Sequence, residues 1–301
     1  MTATRIRYGE AMSAPRLSLL QIHAHPDDES SKGAATMARY AAEGVHGVLV
    51  CCTGGEEGDI LNKDLDRPEV KANLAAVRRA ELDEAVRIIG YDSVHLLGYR
   101  DSGMPKSEAN ARRDNFANAP AEEAVDRFAA IIRQERPQVV ITYGEDQSRY
   151  PHADHLRVHD ITEPSLRRAA DPNWTQGEPW QVAKLYYSHG FSRRRLIALH
   201  GWFVERGQES PYSDWLSKVA EDHDIKVTTR IDAGAHIATM RQALLAHRTQ
   251  VDPSGFWFKV PETDMRLLHP WEEYQLASSL VSAVHRDDEG FETDLFDGLR
   301  G

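Results

Sequence analysis

The chain has 301 residues, of which 36 are Lys or Arg and 47 are Asp or Glu, and its formal net charge is −11. This length is enough for one large α/β domain, or for a domain with a smaller appendage. The negative charge argues against a nucleic-acid-binding protein, since the densest basic cluster is only residues 193–195. No apolar run approaches the roughly 18 residues of a membrane span, and residues 1–15 lack a signal-peptide core. We therefore expect a cytoplasmic protein without a membrane partner.

Strand-like and helix-like segments alternate through the first two thirds of the chain. Apolar runs at 17–22, 47–53, 94–97 and 139–142 predict buried strands, and amphipathic patterns at 33–40, 68–89 and 120–136 predict helices. This alternation is typical of an α/β fold with a mostly parallel sheet and helices on both faces. No GxGxxG motif follows the first strand, so a dinucleotide-binding fold in the strict sense is not supported.

The chain is less regular after residue 170. Strands are predicted at 184–188 and 226–231, and helices at 194–205, 215–222 and 235–247. We interpret residues 1–301 as one catalytic domain. Its predicted parts are an N-terminal extension (1–15), an α/β core with the site (16–170), a C-terminal α+β part (171–284) and a flexible acidic tail (285–301).

A polar cluster follows the first predicted strand directly. Residues 23–29 read His-Ala-His-Pro-Asp-Asp-Glu, on a turn that leads into a helix. The carboxyl ends of parallel strands face the crevice where ligands bind. His25 and Asp28 supply an imidazole and a carboxylate suited to Zn²⁺ and leave Asp27 free beside the metal. The acids could instead cap the helix, and His23 could either support the site or be an ordinary buried histidine.

A second cluster follows the fourth predicted strand. Residues 150–155 read Tyr-Pro-His-Ala-Asp-His and open a predicted helix on the same rim of the sheet. His155 is the third predicted ligand, and a set of two histidines and one aspartate leaves a position open for water, as in catalytic zinc sites. His155 and His159 also have the spacing of an HExxH motif, but Leu156 stands where that motif has its glutamate base.

The remaining polar residues have roles that suit hydrolysis of an amide. Bound Zn²⁺ lowers the pKa of water, and Asp27 could then take the proton as general base. Protonated His152 could stabilise an oxyanion or protonate a leaving amine, with Asp154 orienting it and raising its pKa. Tyr150 is either a second oxyanion donor or a loop aromatic that only packs. Fe²⁺ accepts similar ligands, so availability decides which metal is bound.

At these residues the chain resembles the LmbE/PIG-L superfamily of zinc-dependent N-deacetylases and amidases. The signature is an AHPDD motif paired with a distant HxxH, here at 24–28 and 152–155; further similar segments are 54–58, 78–82, 100–103 and 245–250. The resemblance covers nearly the whole chain. It implies a Rossmann-like sheet, a zinc ion on His25, Asp28 and His155, Asp27 as base and His152 as the charged electrophile.

Within the superfamily, the chain is most similar to the actinobacterial enzymes that act on mycothiol and its S-conjugates. Segments 30–35, 58–62, 150–152 and 249–258 carry this likeness. It implies a small-molecule substrate, a mycothiol S-conjugate, cleaved at the amide between glucosamine and N-acetylcysteine. It also implies that Arg78 and Asp101 bind sugar or inositol hydroxyls and that Lys32 contacts the thiol-bearing part. The chain departs from the usual pattern at Ala153, where proline is expected, and in its N-terminal extension.

Two other functions remain open at this point. One is deacetylation of the acetylglucosaminyl-inositol precursor of mycothiol; Lys32 and the long aromatic C-terminal segment favour the S-conjugate amidase, because a bulky leaving moiety needs a larger pocket wall. The other is a non-catalytic carbohydrate-binding protein on the same fold. A binding protein would not need Asp27 and His152 beside intact metal ligands.

Overall fold

A computed structural model describes residues 16–146, 150–282 and 284–300. Within these ranges the chain forms seven strands: β1 (Ser18–His23), β2 (His46–Thr53), β3 (Ser93–Tyr99), β4 (Val139–Tyr143), β5 (Lys184–Ser188), β6 (Thr229–Asp232) and β7 (Trp271–Ser279). The same ranges contain ten α-helices: α1 (Asp28–Ser31), α2 (Ala34–Ala42), α3 (Pro68–Ala72), α4 (Leu74–Ile89), α5 (Ala121–Glu135), α6 (Ala153–Ala170), α7 (Arg193–Val204), α8 (Ser213–Lys218), α9 (Ile237–Ala246) and α10 (Glu262–Leu268). The predicted N-terminal extension lies outside the described residues.

The strands form one sheet in the order β3-β2-β1-β4-β5-β7-β6. β1 is parallel to both β2 and β4, and the parallel part continues to β3 on one side and to β5 on the other. β7 is antiparallel to β5 and to β6. Because the connections lead away from β1 in one direction and from β4 in the other, a crevice opens between the carboxyl ends of these two strands. The clusters predicted to form the site follow these same two strands.

Helices cover both faces of the sheet, as the sequence predicts. Side chains of successive strand residues point to opposite faces. Leu19 packs with Met37 of α2 and other buried residues on one face, whereas Leu20 packs with Phe128 of α5 and Val158 of α6 on the other. The mostly parallel α/β prediction is therefore confirmed. No helix in the described residues is long and apolar enough to cross a bilayer.

The predicted helix over 68–89 and strand β7 show where the structure differs from the sequence prediction. The helix predicted over 68–89 is divided at Asn73, whose side-chain amide donates to the carbonyl of Glu69 at 3.0 Å. Asparagine competes with helical hydrogen bonding in this way. Strand β7 was not predicted because it carries two glutamates, yet Glu272 accepts from the backbone N–H of Thr36 at 2.7 Å near the start of α2.

The prediction of a flexible tail is wrong, because the segment after residue 284 packs against the rest of the fold. Leu295 and Phe296 are fully buried in the same core as Leu19. Glu292 lies 2.6 Å from the ammonium of Lys184 and accepts from the Tyr186 hydroxyl at 2.8 Å. The tail sequence suggests disorder because it is rich in acidic residues. One of those acids, Glu292, instead pairs with the buried cation of Lys184.

Candidate active site

The turn after β1 places three acidic or basic side chains at the crevice. His25 is buried, and its backbone N–H donates to a carboxylate oxygen of Asp28 at 3.0 Å. Asp27 has a φ of 109°, a backbone conformation that side-chain-bearing residues rarely adopt. Such conformations persist where the surrounding structure holds them, and they cluster at functional sites. Here the turn directs two neighbouring carboxylates, Asp27 and Asp28, to different positions.

The chain after β4 contributes the second set of side chains at the start of α6. His152 is the N-terminal capping residue, and its Nδ1 accepts from the backbone N–H of Asp154 at 3.2 Å. One turn into the helix lies His155, which is almost fully buried. The ring of Tyr143, the last residue of β4, stacks on that of His155 at 4.4 Å and 9°. The imidazole of His155 is thus fixed by a residue that sequence reasoning missed.

The three predicted metal ligands come together. One carboxylate oxygen of Asp28 lies 3.3 Å from Nδ1 of His25 and 3.4 Å from Nε2 of His155. All three donor atoms lie within 4.8 Å of one another, and all three residues are buried. Two imidazoles and one carboxylate form the donor set of a catalytic zinc site. Their role as ligands stays a prediction that this geometry supports.

The electrostatics of the site also suit a cation. Burial disfavours a charged His25, but hydrogen bonds to Asp101, Asp154 and Asp28 raise its pKa well above the ordinary value. Burial lowers the pKa of His155 to about 4, which keeps this ring in the neutral form that binds metals. The concentration of carboxylates around two buried imidazoles therefore fits a divalent metal ion.

Asp154 lies closer to His25 than to His152, the residue that it was predicted to orient. Its carboxylate lies 3.2 Å from Nε2 of His25 but 3.9 Å from Nδ1 of His152, and it also accepts from the backbone N–H of Ser102 at 2.9 Å. Burial and the neighbouring charge of His25 lower the pKa of His152 overall, although the negative charge of Asp154 raises it as predicted. The shorter contact of Asp154 is with the second nitrogen of a predicted metal ligand, an arrangement that is common for carboxylates beside zinc-bound histidines.

Asp27 is the acid that remains accessible next to the ligands. Its side chain is 31% exposed, compared with 5% for Asp28. Burial raises the pKa of Asp27, although the positive charge of Arg78 opposes this shift. A carboxyl with a raised pKa, open to the crevice and adjacent to a predicted metal ligand, is suited to act as a general base.

The guanidinium of Arg78 is held by two backbone carbonyls and by the carboxylate of Asp27. The guanidinium donates to the carbonyl of Gly55 at 2.6 Å and to the carbonyl of Pro26, and lies 3.4 Å from the carboxylate of Asp27. The side chain is only 3% exposed. These contacts favour a positioning role for Arg78 over the sugar contact that the resemblance implies.

The other predicted substrate-binding residues also lie at the site. A carboxylate oxygen of Asp101 is 3.5 Å from Nε2 of His25 and 3.7 Å from Nε2 of His152. The ammonium of Lys32 lies 2.5 Å from the second oxygen of Asp28. Tyr150 is 52% exposed, and its ring lies 5.9 Å from that of His152, so it covers the site from the solvent side.

The structure shows the surroundings of His159 and His23, whose roles the sequence left undecided. Nδ1 of His159 lies 3.0 Å from the backbone carbonyl of Tyr143, so this ring is held at the end of β4 and does not join the donor set of His155. His23 is buried and packs edge-to-face on Tyr143 at 5.7 Å. Burial lowers the pKa of His23 to about 4. His23 therefore supports Tyr143 from behind in its neutral form.

The sequence analysis also missed a buried pair behind the site. Nε2 of His247 lies 2.6 Å from one carboxylate oxygen of Glu29, and the other oxygen accepts from the backbone N–H of Asp27 at 2.9 Å. The signal was present, since 245–250 is one of the segments that carry the family resemblance. No spacing rule connects it to residue 29.

Comparisons with known proteins assign the chain to a family. The family model "PIG-L: GlcNAc-PI de-N-acetylase" matches residues 20–165, which include both polar clusters. A mycothiol S-conjugate amidase of Streptomyces coelicolor is 42% identical, and the match covers 95% of this chain and 98% of that protein. The chain belongs to the PIG-L family. It is accordingly a hydrolase that acts on an amide.

Other PIG-L relatives and solved structures show how broad the likeness is. A 1D-myo-inositol 2-acetamido-2-deoxy-alpha-D-glucopyranoside deacetylase of Thermobifida fusca is 38% identical over 92% of this chain and 98% of its own. The N,N'-diacetylchitobiose deacetylase of Pyrococcus horikoshii has a TM-score of 0.61 at 18% identity, covering 91% of this chain and 89% of its own. GalB of Pseudomonas putida, a 4-carboxy-2-hydroxymuconate hydratase, has a TM-score of 0.59 at 16% identity, covering 89% of this chain and 99% of its own. One of these neighbours is a deacetylase and the other is a hydratase. Their likeness to this chain therefore establishes its fold but not its reaction.

Proposed function

We propose that this PIG-L protein is a zinc-dependent amidase that cleaves mycothiol S-conjugates between glucosamine and N-acetylcysteine, releasing a mercapturic acid and glucosaminyl-inositol. The observation that carries the amidase chemistry is the convergence of His25, Asp28 and His155 beside the accessible carboxylate of Asp27. The similarity to the Streptomyces coelicolor amidase over nearly the whole of both chains supports the choice of substrate.

Each residue of the site has a separate role in the proposed hydrolysis. A zinc ion held by the two histidines and Asp28 would polarise the amide carbonyl and lower the pKa of a bound water. Asp27 accepts a proton from the attacking water, whose oxygen bonds to the acyl carbon. His152, next to Asp101, in its protonated form stabilises the negative oxygen and gives a proton to the amine as the C–N bond breaks. Tyr150 covers these groups and offers a hydroxyl to the same oxygen.

The proposed setting is a reducing cytoplasm in which zinc or Fe²⁺ fills the site. Cys51 and Cys52 are buried free thiols on β2. Since their side chains are neighbours on one strand, they point to opposite faces of the sheet. Such thiols suit a compartment where disulfides do not persist.

The second candidate function is deacetylation of acetylglucosaminyl-inositol. It is supported by the deacetylase of Thermobifida fusca, which is nearly as similar to this chain as the amidase is. Both reactions break an amide on the same glucosamine nitrogen, so they need the same ligands, base and acid. They differ only in the acyl group, which is acetyl in one case and an S-substituted N-acetylcysteinyl group in the other.

The experiment that tests the proposal is a comparison of rates on the two substrates. The zinc-loaded protein is given a mycothiol S-conjugate or acetylglucosaminyl-inositol, and the freed amine is measured in both. We expect a higher kcat/KM for the conjugate. Faster deacetylation would instead assign the protein to mycothiol synthesis, and turnover of neither substrate would reject both candidate functions.

A further inference from the structure

A cavity of about 320 Å³ opens beside the metal-ligand set, at the carboxyl ends of β4 and β5. Its described lining includes Lys32 and Tyr143 from the catalytic centre, Tyr187 and Gly190 from the end of β5, Ala220 after α8, and Gln275 from β7. This volume lies at the lower end of the range of about 300–1,000 Å³ for small-molecule sites. Tyr150, which covers the catalytic groups, also lines this cavity, but the catalytic steps described above do not use the space inside it.

The cavity lies on a defined side of the catalytic groups. Lys32 and Tyr143 connect it to the ligands, because the ammonium of Lys32 is 2.5 Å from Asp28 and the ring of Tyr143 stacks on His155. Asp101 lies after β3, at the other end of the parallel part of the sheet, and faces His25 and His152. The site therefore has one side formed by Asp101 and His152 and another formed by Lys32, Tyr143 and the cavity.

The chemistry of amide hydrolysis orients a substrate between these two sides. His152 gives its proton to the departing amine, so the amine and its sugar lie on the side of Asp101 and His152. The acyl carbon lies at the metal, and the rest of the acyl group extends away from the amine. That direction leads past Lys32 and Tyr143 into the cavity.

We propose that this cavity is the acyl subsite and that it receives the S-substituted N-acetylcysteinyl group. This assignment rests on the proposed function. An acetyl group ends in one methyl, comparable to the roughly 30 Å³ of a water molecule, and would leave most of the cavity unused. A substituted cysteinyl group would place its thioether substituent against the rings of Tyr143 and Tyr187. The amide carbonyl on the same group would accept from Lys32 or Gln275.

Larger side chains at Gly190 and at Ala220 would narrow the cavity from two separate walls. Position 190 has room for a side chain, since a Cβ added to Gly190 would meet no atom within 4 Å. Gly190→Phe and Ala220→Trp both put a ring into the cavity. Glu221→Trp is the matched control, because Glu221 is the exposed neighbour of Ala220 and is not part of the described lining. Zinc content and the melting temperature of each variant show whether it folds and holds metal.

The test is the ratio of kcat/KM for a mycothiol S-conjugate with a bulky aromatic substituent to that for acetylglucosaminyl-inositol. We expect this ratio to fall at least tenfold in both narrowed variants, mainly through KM of the conjugate, and to keep its original value in Glu221→Trp. An unchanged ratio in folded, zinc-bound variants would overturn the acyl-subsite assignment while leaving the proposed function intact. If the unmodified protein turned over neither substrate, the proposed function would fail and this assignment with it.

Discussion

His247 and Glu29 form a buried pair that connects the C-terminal part of the chain to the catalytic turn. Their side chains are 0% and 1% exposed, and Nε2 of His247 lies 2.6 Å from Oε1 of Glu29. The other oxygen of Glu29 accepts from the backbone N–H of Asp27, whose φ is 109°. The pair thus stabilises the unusual conformation of the residue that we propose as the general base.

Replacing His247 by alanine should lower both stability and turnover. The variant leaves the carboxylate of Glu29 buried without its cationic partner, which should reduce the free energy of unfolding by on the order of 3 kcal/mol. Urea unfolding measures this loss, and kcat should fall because Asp27 is held less firmly. His285→Ala is the control, since His285 pairs with Asp297 but is 94% exposed. An equal effect of both substitutions would contradict the role given to the buried pair.

Asp27 and Asp28 are neighbours with different predicted roles, so the same substitution should affect them differently. Asp27→Asn should keep stoichiometric zinc while kcat falls by about 10²–10⁴-fold, because it removes the base and leaves the ligands. Asp28→Asn should lose zinc on dialysis. Mass-spectrometric zinc content and steady-state rates on the same samples distinguish the two. Full activity of Asp27→Asn would reject its assignment as base.

Asp154→Asn tests which imidazole this carboxylate supports. Because Asp154 lies 3.2 Å from Nε2 of His25, we expect zinc affinity to fall by about 10–100-fold, as measured by competition with a chelator. Ser102→Ala removes only a hydroxyl that donates to Asp154 and should give a smaller change in the same direction. If Asp154 acted through His152 instead, zinc affinity would be unchanged and the pH profile of kcat would shift.

The parts of the site that could be predicted from the sequence are those set by local chain geometry. His25 and Asp28 lie on one turn, and the sheet order brings the turn after β4 next to it, so two short motifs were enough to bring the three predicted ligands together. The contacts of Asp154 with Ser102 could not be predicted, because they depend on the path of the chain after β3. Glu29 and His247 are 218 positions apart, and no local pattern connects them.

The fold shows the same division between local and distant information. Apolar runs predicted the parallel strands and amphipathic patterns predicted the helices that cover them. β7 and the tail were missed because their glutamates indicate solvent exposure when read alone. In the structure Glu272 binds a backbone N–H of α2 and Glu292 pairs with Lys184. A single sequence does not distinguish an acid that binds a distant partner from an acid on the surface.

Gly55→Ala should disturb the contact that holds Asp27 in place. Gly55 has a φ of +68°, and a Cβ there would lie 2.3 Å from Nη1 of Arg78. Gly207 has a similar φ of +63° but nothing within 4 Å of its Cβ position, so Gly207→Ala isolates the backbone cost of about 1–2 kcal/mol. We expect Gly55→Ala to be less stable than Gly207→Ala in urea unfolding and, unlike it, to lower kcat. Equal stability with full activity would mean that Arg78 moves aside at no cost.

Glu135 connects α5 to two strands through hydrogen bonds whose strength depends on pH. Its carboxylate lies 2.9 Å from Nε2 of His46 on β2 and 2.8 Å from Nε2 of His95 on β3. Burial opposes the charge, but the hydrogen bonds to the two histidines lower the pKa of Glu135 overall. A pKa that is lower in the folded chain than the value of about 4.3 in the unfolded chain stabilises the fold above that value. This stabilisation is lost as the pH falls through the folded-state pKa.

Glu135→Gln should therefore lower the melting temperature clearly at pH 6, and its difference from the unmodified protein should shrink as the pH is lowered towards 3. Glu205→Gln is the control, because the side chain of Glu205 is 78% exposed and it should show no such difference at either pH. Thermal unfolding followed by circular dichroism at both pH values measures the effect. A difference that stayed constant would mean that Glu135 acts by hydrogen-bond geometry alone, because glutamine keeps an acceptor oxygen at all pH values while the charge of the carboxylate is lost in acid.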